Sequence, residues 1–260
     1  MSLTFVGLGL WDENDVSLRG RHAIDKADVV YAEWYTAYLG GASPDKLVAA
    51  YGRDIEFLER DPIERGDSIL AEAQTKDVVL LAVGDSMTAT THVDLRVRAA
   101  KLGIATHVIH GASIATAVAG LTGLMSYKFG RATTVVFPEG EWMPTSPYEV
   151  VAANLARGLH TLTLMDLRAH EGRHMRADEG ARLLLQMAEK VGDGALGPDT
   201  NALVIARAGS PEPGVWRGSL AQIAAGDFGE PLHTMVIPGD THFMEDEAIA
   251  ALCRPVGDAA

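Results

Sequence analysis

An unbroken apolar run leads into a Gly-Asp pair in the stretch Asp77-Val78-Val79-Leu80-Leu81-Ala82-Val83-Gly84-Asp85. Apolar runs without alternation are typical of strands that are buried on both faces of a parallel sheet. Helical spacing follows at residues 93–100. Because open α/β sheets bind ligands at the carboxyl ends of their strands, this segment predicts a binding loop at the Gly-Asp pair. The alternative is a plain strand-to-helix turn in which Thr90 or Thr91 caps the helix.

On either side of this stretch, apolar strand patterns alternate with helix patterns. The predicted strands of this half are 3–10, 28–33, 54–57, 77–83 and 104–109. The predicted helices are 17–27, 43–49, 61–73 and 93–100. Strands that alternate with helices in this way predict a parallel, doubly wound sheet.

A second half follows a glycine-containing hinge that we predict at residues 120–124. Its predicted strands are 132–137, 160–167, 202–210 and 233–237. Its predicted helices are 148–157, 178–190 with Asp178 as the cap, and 244–252, after a small-residue helix at 115–121. The sequence therefore predicts an α/β fold with two α/β domains, an N-terminal one at 1–114 and a C-terminal one at 115–260.

A second polar loop, His110-Gly111-Ala112-Ser113, follows the strand at 104–109. Ser113 either caps the next helix or presents its hydroxyl and backbone amides to a ligand beside the first loop. Two such loops at neighbouring strand ends favour the ligand interpretation over two unrelated turns.

The composition limits the class of protein. The 260 residues are 47% hydrophobic, and the longest apolar runs are far too short to cross a bilayer, so we expect a soluble, cytoplasmic protein. Cys253 is the single cysteine, which excludes a disulfide within the chain. A net charge of −13, with 16 arginines against 6 lysines, disfavours sequence-independent nucleic-acid binding. The acidity indicates a high-salt cytoplasm, with an ordinary acidic enzyme as the alternative.

The sequence lacks the motifs of several common enzyme classes. Gly7-x-Gly9 invites a dinucleotide-fold interpretation, but Asp12 stands where the third glycine of GxGxxG belongs, and carboxylates repel a pyrophosphate. The chain has no Walker lysine motif and no GxSxG elbow, and we expect no zinc site, although His170 and His174 stand four residues apart. These patterns favour a small ligand that carries no phosphate or that is positively charged.

A set of short motifs runs nearly from end to end of the chain: Phe5-Val6-Gly7-Leu8-Gly9-Leu10-Trp11-Asp12-Glu13, Ala32-Glu33-Trp34-Tyr35-Thr36, Gly84-Asp85 through Ala89-Thr90-Thr91-His92, Gly123-Leu124 with Tyr127-Lys128-Phe129-Gly130, Pro138-Glu139-Gly140, Pro144-Thr145-Ser146, and Ala206-Arg207-Ala208-Gly209-Ser210. In combination they resemble the archaeal diphthine synthases, a branch of the tetrapyrrole methylase family.

The resemblance implies two α/β domains of the tetrapyrrole methylase type, with S-adenosylmethionine in the cleft between them, in a homodimer. It implies methylation of the amino group on the aminocarboxypropyl-modified histidine of translation elongation factor 2, which gives diphthine. Neither nucleic acid nor membrane is an expected partner. The positions that match cofactor-binding residues of the family are Leu10, Asp85, Thr88, Ser113, Ile114, Met165, Ala208 and His233.

The chain departs from the family at two points. It has Gly84-Asp85-Ser86 where Gly-Asp-Pro is common, and Met165 where leucine is usual. Methyl transfer to an amine needs alignment and a deprotonated nucleophile, and solvent can take the proton, so no catalytic base is assigned among Asp12, Glu33 and His92. Two alternatives stay open, namely a methylase acting on a precorrin-type tetrapyrrole and a non-catalytic module that binds the cofactor.

Overall fold

The structure is a computed structural model, and it describes residues 1–35, 37–140, 142–168 and 172–257. Thr36, which belongs to one of the motifs quoted above, lies outside the described residues. The chain forms two compact units. The first unit is Met1–Ile114 with Arg168–Gly172, and the second unit is Ala115–Leu167 with Arg173–Ala260.

The first unit contains a parallel five-stranded sheet in the order β3-β2-β4-β1-β5. Its elements are β1 (Ser2–Gly7), α1 (Leu18–Lys26), β2 (Val29–Glu33), α2 (Pro44–Tyr51), β3 (Glu56–Leu58), α3 (Arg60–Arg65), α4 (Asp67–Ala73), β4 (Asp77–Ala82), α5 (His92–Lys101) and β5 (Ala105–Ile109). The predicted parallel α/β architecture of this half is confirmed.

The sheet is covered on both faces. Alternate residues of its strands belong to two different hydrophobic clusters, with Leu80 in one cluster and Leu81 in the other, both fully buried. Since successive side chains of a strand point to opposite faces, a strand packed on both sides needs an unbroken apolar run. This explains why β4 carries no polar residue between Val78 and Ala82.

The second unit contains a mixed six-stranded sheet in the order β13-β11-β10-β12-β7-β6. The elements are α6 (Ile114–Thr122, which begins at the last residue of the first unit), β6 (Thr133–Val135), α7 (Ser146–Leu155), β7 (Thr161–Met165), β8 (Leu167–Arg168), β9 (Arg173–His174), α8 (Ala177–Val191), β10 (Asn201–Ala206), β11 (Gly214–Ser219), α9 (Leu220–Ala225), β12 (His233–Ile237), α10 (Phe243–Leu252) and β13 (Arg254–Pro255). The four central strands β11, β10, β12 and β7 pair antiparallel, while β6–β7 and β11–β13 are parallel.

Three local predictions were wrong. The helix at 61–73 is two helices, because Gly66 adopts a left-handed φ of 62° and ends α3. Asp178 does not cap α8; the helix begins at Ala177, and Asp178 lies in its first turn. The hinge at 120–124 is helical up to Thr122, and the chain turns only at Gly123, where φ is 79°.

The strand β11 and the helix α9 were missed. The six residues of β11 include two glycines and only two fully apolar positions, Val215 and Trp216, so no alternation is visible in the sequence. The strand forms because β10 offers its edge over the full length, from Asn201 opposite Ser219 to Ala206 opposite Gly214. No helix among the described residues is both long and apolar enough to cross a membrane.

Candidate functional site

Three glycines at the carboxyl ends of neighbouring strands touch through their backbones. A Cβ added to Gly7 would lie 2.5 Å from the Gly111 nitrogen and 2.6 Å from the Gly84 oxygen, and one added to Gly111 would lie 2.5 Å from the same oxygen. Gly9 and Gly84 exchange two backbone hydrogen bonds, of 3.2 and 2.7 Å. The Gly7-x-Gly9 motif therefore lets the strand ends pack closely against one another. This close packing explains the two glycines without a bound phosphate.

Asp85 is the buried carboxylate of this edge. One of its oxygens accepts hydrogen bonds from the Met87 backbone N–H at 2.9 Å and from the Thr88 hydroxyl at 3.3 Å. The other oxygen accepts a bond of 2.7 Å from His110 Nδ1. Asp85 thus ties the loop after β4 to the loop after β5. Burial alone would raise its pKa, but the Met87 amide and His110 outweigh that effect and lower the pKa below its usual range.

The first cofactor-matching residue of the chain, Leu10, follows Gly9 in the loop after β1. Its backbone N–H and that of Trp11 donate to one carboxylate oxygen of Asp15, at 3.0 and 2.7 Å. Gly9 packs directly on Asp15, since an added Cβ would lie 2.3 Å from the Asp15 Cβ. The Asp15 carboxylate therefore binds backbone amides of its own loop, at Leu10 and Trp11.

Five of the predicted cofactor residues lie at one edge of the first sheet. Leu10 follows β1, Asp85 and Thr88 follow β4, and Ser113 and Ile114 follow β5. These three strands are neighbours, with β1 in the centre. Asp85 and Ser113 are buried, Leu10 and Ile114 are half-buried, and Thr88 is exposed. Of the two predicted caps of α5, Thr91 precedes the helix but its side chain makes no capping bond, whereas the Thr90 hydroxyl accepts from the His92 backbone N–H at 3.4 Å.

Behind the same loop lies a buried ion pair between Glu33, at the end of β2, and His92, the first residue of α5. His92 Nε2 is 2.7 Å from a Glu33 carboxylate oxygen, and Nδ1 donates to the Ser86 carbonyl at 2.9 Å. Burial alone would lower the pKa of His92, but Glu33 and the Ser86 carbonyl outweigh it and raise the pKa. Each ring nitrogen thus faces an oxygen acceptor, and the ring anchors the loop at Ser86, which leaves no free nitrogen for catalysis.

The remaining three cofactor-matching residues lie at one edge of the second sheet. Met165 ends β7, Ala208 follows β10, and His233 begins β12. Because β12 is antiparallel to both β7 and β10, its first residue lies beside the last residues of the other two strands, and Ala206 is paired with His233. Antiparallel pairing therefore brings together positions that are far apart in the sequence.

His233 uses both ring nitrogens within the unit. Nδ1 accepts from the Ala177 backbone N–H at 3.2 Å, and Nε2 donates to the Glu230 carbonyl at 3.1 Å. Burial lowers its pKa to about 4, with smaller contributions from nearby arginines, so the ring is neutral at physiological pH. His233 therefore has no ring nitrogen free to bind a ligand.

The turn after β10 has an unusual backbone. Arg207 is one of the few residues other than glycine with a left-handed φ, at 53°, and its guanidinium donates to the carbonyls of Phe228 and Glu230, at 3.0 and 2.8 Å. These bonds hold the turn and leave small residues, Ala208 and Gly209, at its tip. The Ser210 hydroxyl is buried, and no partner for it exists among the described residues.

No group of three or more histidine, cysteine, aspartate or glutamate side chains in the described part of the chain is arranged to hold a metal ion. The sequence placed His110 in the second polar loop but gave no role to its side chain, which the structure pairs with Asp85. Its only signal was its place at the end of a strand, directly before Gly111.

Comparisons with known proteins bear on the whole chain. The profile of the tetrapyrrole (corrin/porphyrin) methylases matches residues 2–224. A diphthine synthase of Methanocella arvoryzae is 47% identical over 252 residues, covering 96% of this chain and 97% of that protein. The diphthine synthase of Methanocaldococcus jannaschii is 45% identical and covers 98% and 100%. A crystal structure of diphthine synthase superposes with a TM-score of 0.89 at 38% identity, covering 98% of this chain and 97% of that one. The chain belongs to the tetrapyrrole methylase family.

Proposed function

We propose that this protein is an S-adenosylmethionine-dependent methyltransferase of diphthamide biosynthesis. It methylates the amino group on the aminocarboxypropyl-modified histidine of translation elongation factor 2 to form diphthine. The observation that carries the proposal is the similarity to diphthine synthases over nearly the full length of both chains, at 45–47% identity.

The first unit fits the cofactor by its charge and its open backbone. S-adenosylmethionine supplies an electrophilic methyl group on a positively charged sulfur and carries no phosphate. The depressed pKa of Asp85 keeps a negative charge at the edge of the sheet, which favours a cation there. Gly84 has a φ of 72°, and the nearest atom to an added Cβ is 4.0 Å away, so the backbone at the end of β4 is open to close approach.

The second unit fits the cofactor by its small residues and an unused polar group. The Ala208-Gly209 turn admits a flat group against the backbone, and the buried Ser210 hydroxyl lacks a protein partner among the described residues. We therefore propose that the cofactor binds at the eight positions identified from the family: Leu10, Asp85, Thr88, Ser113, Ile114, Met165, Ala208 and His233. At Met165 and His233 we expect contacts through backbone groups or van der Waals packing.

The test is a turnover assay with labelled cofactor. The protein is incubated with elongation factor 2 that carries the aminocarboxypropyl group, and separately with a precorrin-type tetrapyrrole, and the products are analysed by mass spectrometry. We expect methylated elongation factor in molar excess over the enzyme, and the mass also gives the number of methyl groups added. Label on the tetrapyrrole alone would assign the chain to the other branch of the family, and less than one turnover would make it a binding module.

Replacing Asp85 by asparagine keeps the shape of the side chain and removes its charge. We expect S-adenosylhomocysteine to bind roughly tenfold to hundredfold more weakly, because a hydrogen bond to a charged group contributes about 1.5–3 kcal/mol. The measurement is calorimetric titration, with Asp67→Asn, an exposed carboxylate of the same unit, as the control. Unchanged affinity in Asp85→Asn would remove Asp85 from the site, and a collapsed melting temperature would mean that it only shapes the turn.

We further propose that the protein works as a homodimer in a saline cytoplasm. The cytoplasm follows from the proposed substrate, which is a translation factor. With 35 acidic against 22 basic residues, carboxylates repel one another at low ionic strength, and salt screens that repulsion. The melting temperature is therefore expected to rise from low salt to molar sodium chloride. A flat or falling curve would contradict the high-salt setting, and light scattering during the same titration reports the oligomeric state.

A further inference from the structure

The Asp85–His110 pair has a feature that binding of the cofactor alone does not explain. His110 Nδ1 donates to the Asp85 carboxylate at 2.7 Å, so in the neutral ring the other nitrogen, Nε2, carries the free lone pair. The imidazole is 73% exposed, while the carboxylate that orients it is 9% exposed. A carboxylate that fixes the tautomer of a histidine and leaves its second nitrogen open is the arrangement that enzymes use for proton acceptors.

The position of the Asp85–His110 pair in the fold also fits a role in the reaction. His110 directly follows β5, and Asp85 follows β4, with β1 between them in the sheet. Both residues thus lie at the carboxyl edge of a parallel sheet, which is where ligands bind in folds of this kind. Among the described residues, the carboxylate that lies within ion-pair distance of His110 is that of Asp85.

We propose that His110 is the base that accepts the proton of the substrate amine. This inference rests on the proposed function, because it assigns a residue to the amine methylation. At neutral pH an aliphatic amine is protonated and has no lone pair with which to attack. His110 Nε2 takes one N–H proton, the amine nitrogen forms a bond to the methyl carbon, and the carbon–sulfur bond breaks with its electron pair left on sulfur. The imidazolium stays paired with Asp85 and then releases its proton to water.

The other polar residues near this edge are less suited to the step. His92 is buried and has both nitrogens engaged, by Glu33 and the Ser86 carbonyl. One carboxylate oxygen of Asp12 is occupied by the backbone and side-chain nitrogens of Asn14, at 2.9 and 3.2 Å. His110 combines an oriented ring with a solvent-accessible nitrogen, and this combination distinguishes it from both.

The experiment compares His110→Asn with His110→Ala. An asparagine amide occupies the place of Nδ1 and still donates to Asp85, but it offers no basic nitrogen. We expect His110→Asn to keep the S-adenosylhomocysteine affinity and melting temperature of the wild type and to lose roughly 10²–10⁴-fold in kcat/KM at neutral pH. The loss is expected to shrink as pH rises, because more of the amine then loses its proton to solvent. The matched control is His107→Asn, which changes an exposed histidine of β5, the strand before His110, and is expected to keep full activity.

The outcomes separate this proposal from the proposed function. If the wild type methylates elongation factor 2 and His110→Asn matches it across the pH range, solvent takes the proton and the proposal is wrong. If only His110→Ala is impaired, together with cofactor affinity, the histidine only positions Asp85. A readout independent of turnover is ¹⁵N NMR of the free protein, in which the neutral form of the His110 ring should carry its proton on Nδ1. A neutral ring protonated on Nε2 would equally overturn the proposal. If the wild type itself fails to methylate the factor, the proposed function falls first.

Discussion

Gly7→Ala is expected to destabilise the protein by about 3 kcal/mol or more and to abolish cofactor binding. The added methyl group would lie 2.5 Å from the Gly111 nitrogen and 2.6 Å from the Gly84 oxygen. These are backbone atoms of two other strand ends, so no side chain can rotate away. Overpacking in a well-packed region typically costs about 1–3 kcal/mol, and a clash with backbone on two sides places Gly7 at or above the top of that range. The loops that carry Asp85 and Ser113 must then move apart.

Two other glycines make matched controls for this measurement. Gly120 lies within α6 with nothing within 4 Å of an added Cβ, so Gly120→Ala should be neutral or slightly stabilising. Gly103 also has open space but a φ of 75°, so Gly103→Ala should cost about 1–2 kcal/mol from backbone strain alone. Urea unfolding of the three variants separates crowding from strain. A Gly7→Ala protein as stable as the Gly120→Ala protein would mean that the strand ends do not need this contact.

The part of the fold that the sequence predicts well is the part that local pattern determines. The run from Val78 to Ala82 predicts a doubly covered strand. The helix predicted from residue 17 also starts there, because Ser17 caps α1 and its hydroxyl accepts from the Gly20 N–H at 3.0 Å. The glycine motifs can be recognised in the sequence, but the close backbone contacts that require glycine at these positions cannot. Gly7, Gly84 and Gly111 come together only through the register of three strands, which no local pattern contains.

The same division applies to the candidate site: residues set by local pattern can be predicted from the sequence, and partners brought in by strand order cannot. Asp85 follows a buried strand and is visible in the sequence, whereas its partner His110 is 25 residues away and is placed by strand order. The Tyr127–Gly130 motif illustrates a different limit. It is one of the motifs that resemble diphthine synthases, but in the structure its lysine and glycine have structural roles. Lys128 forms an ion pair with Glu245, and Gly130 leaves no room for a Cβ beside the Asn154 side chain. A motif can thus identify a family through residues that hold the fold.

Glu245 forms a second buried centre, in the second unit. Its carboxylate is fully buried and accepts hydrogen bonds from the backbone N–H groups of Met125 and His242, each at 2.8 Å, and from His160 Nε2 at 2.9 Å, while Lys128 pairs with it. His160 in turn accepts from the Gly239 N–H through Nδ1, at 2.9 Å, so its neutral ring has a fixed tautomer. One carboxylate therefore joins the start of α10 to the chain before β6 and β7.

Glu245→Gln is expected to lower the free energy of unfolding by about 3–5 kcal/mol, because it leaves a partly buried lysine without its counter-charge and puts an amide among donors. In a chain of this size that corresponds to a melting temperature lower by roughly 6–20 °C. Thermal melting at pH 7 measures the loss. Glu247→Gln, an exposed carboxylate on the same helix, is the control and should change the melting temperature little.

The same carboxylate gives a pH dependence with a definite sign. Burial alone would raise the pKa of Glu245, but Lys128, the two backbone amides and His160 outweigh it and lower the pKa to about 2. A group whose pKa is lowered in the folded protein stabilises it fully above the pKa of the unfolded chain, about 4.3, and loses that contribution as pH falls toward the folded value. The stability difference between wild type and Glu245→Gln should therefore be constant near neutrality and shrink between about pH 4 and pH 2. A difference that stays constant down to pH 2 would show that the glutamine variant loses packing and not charge.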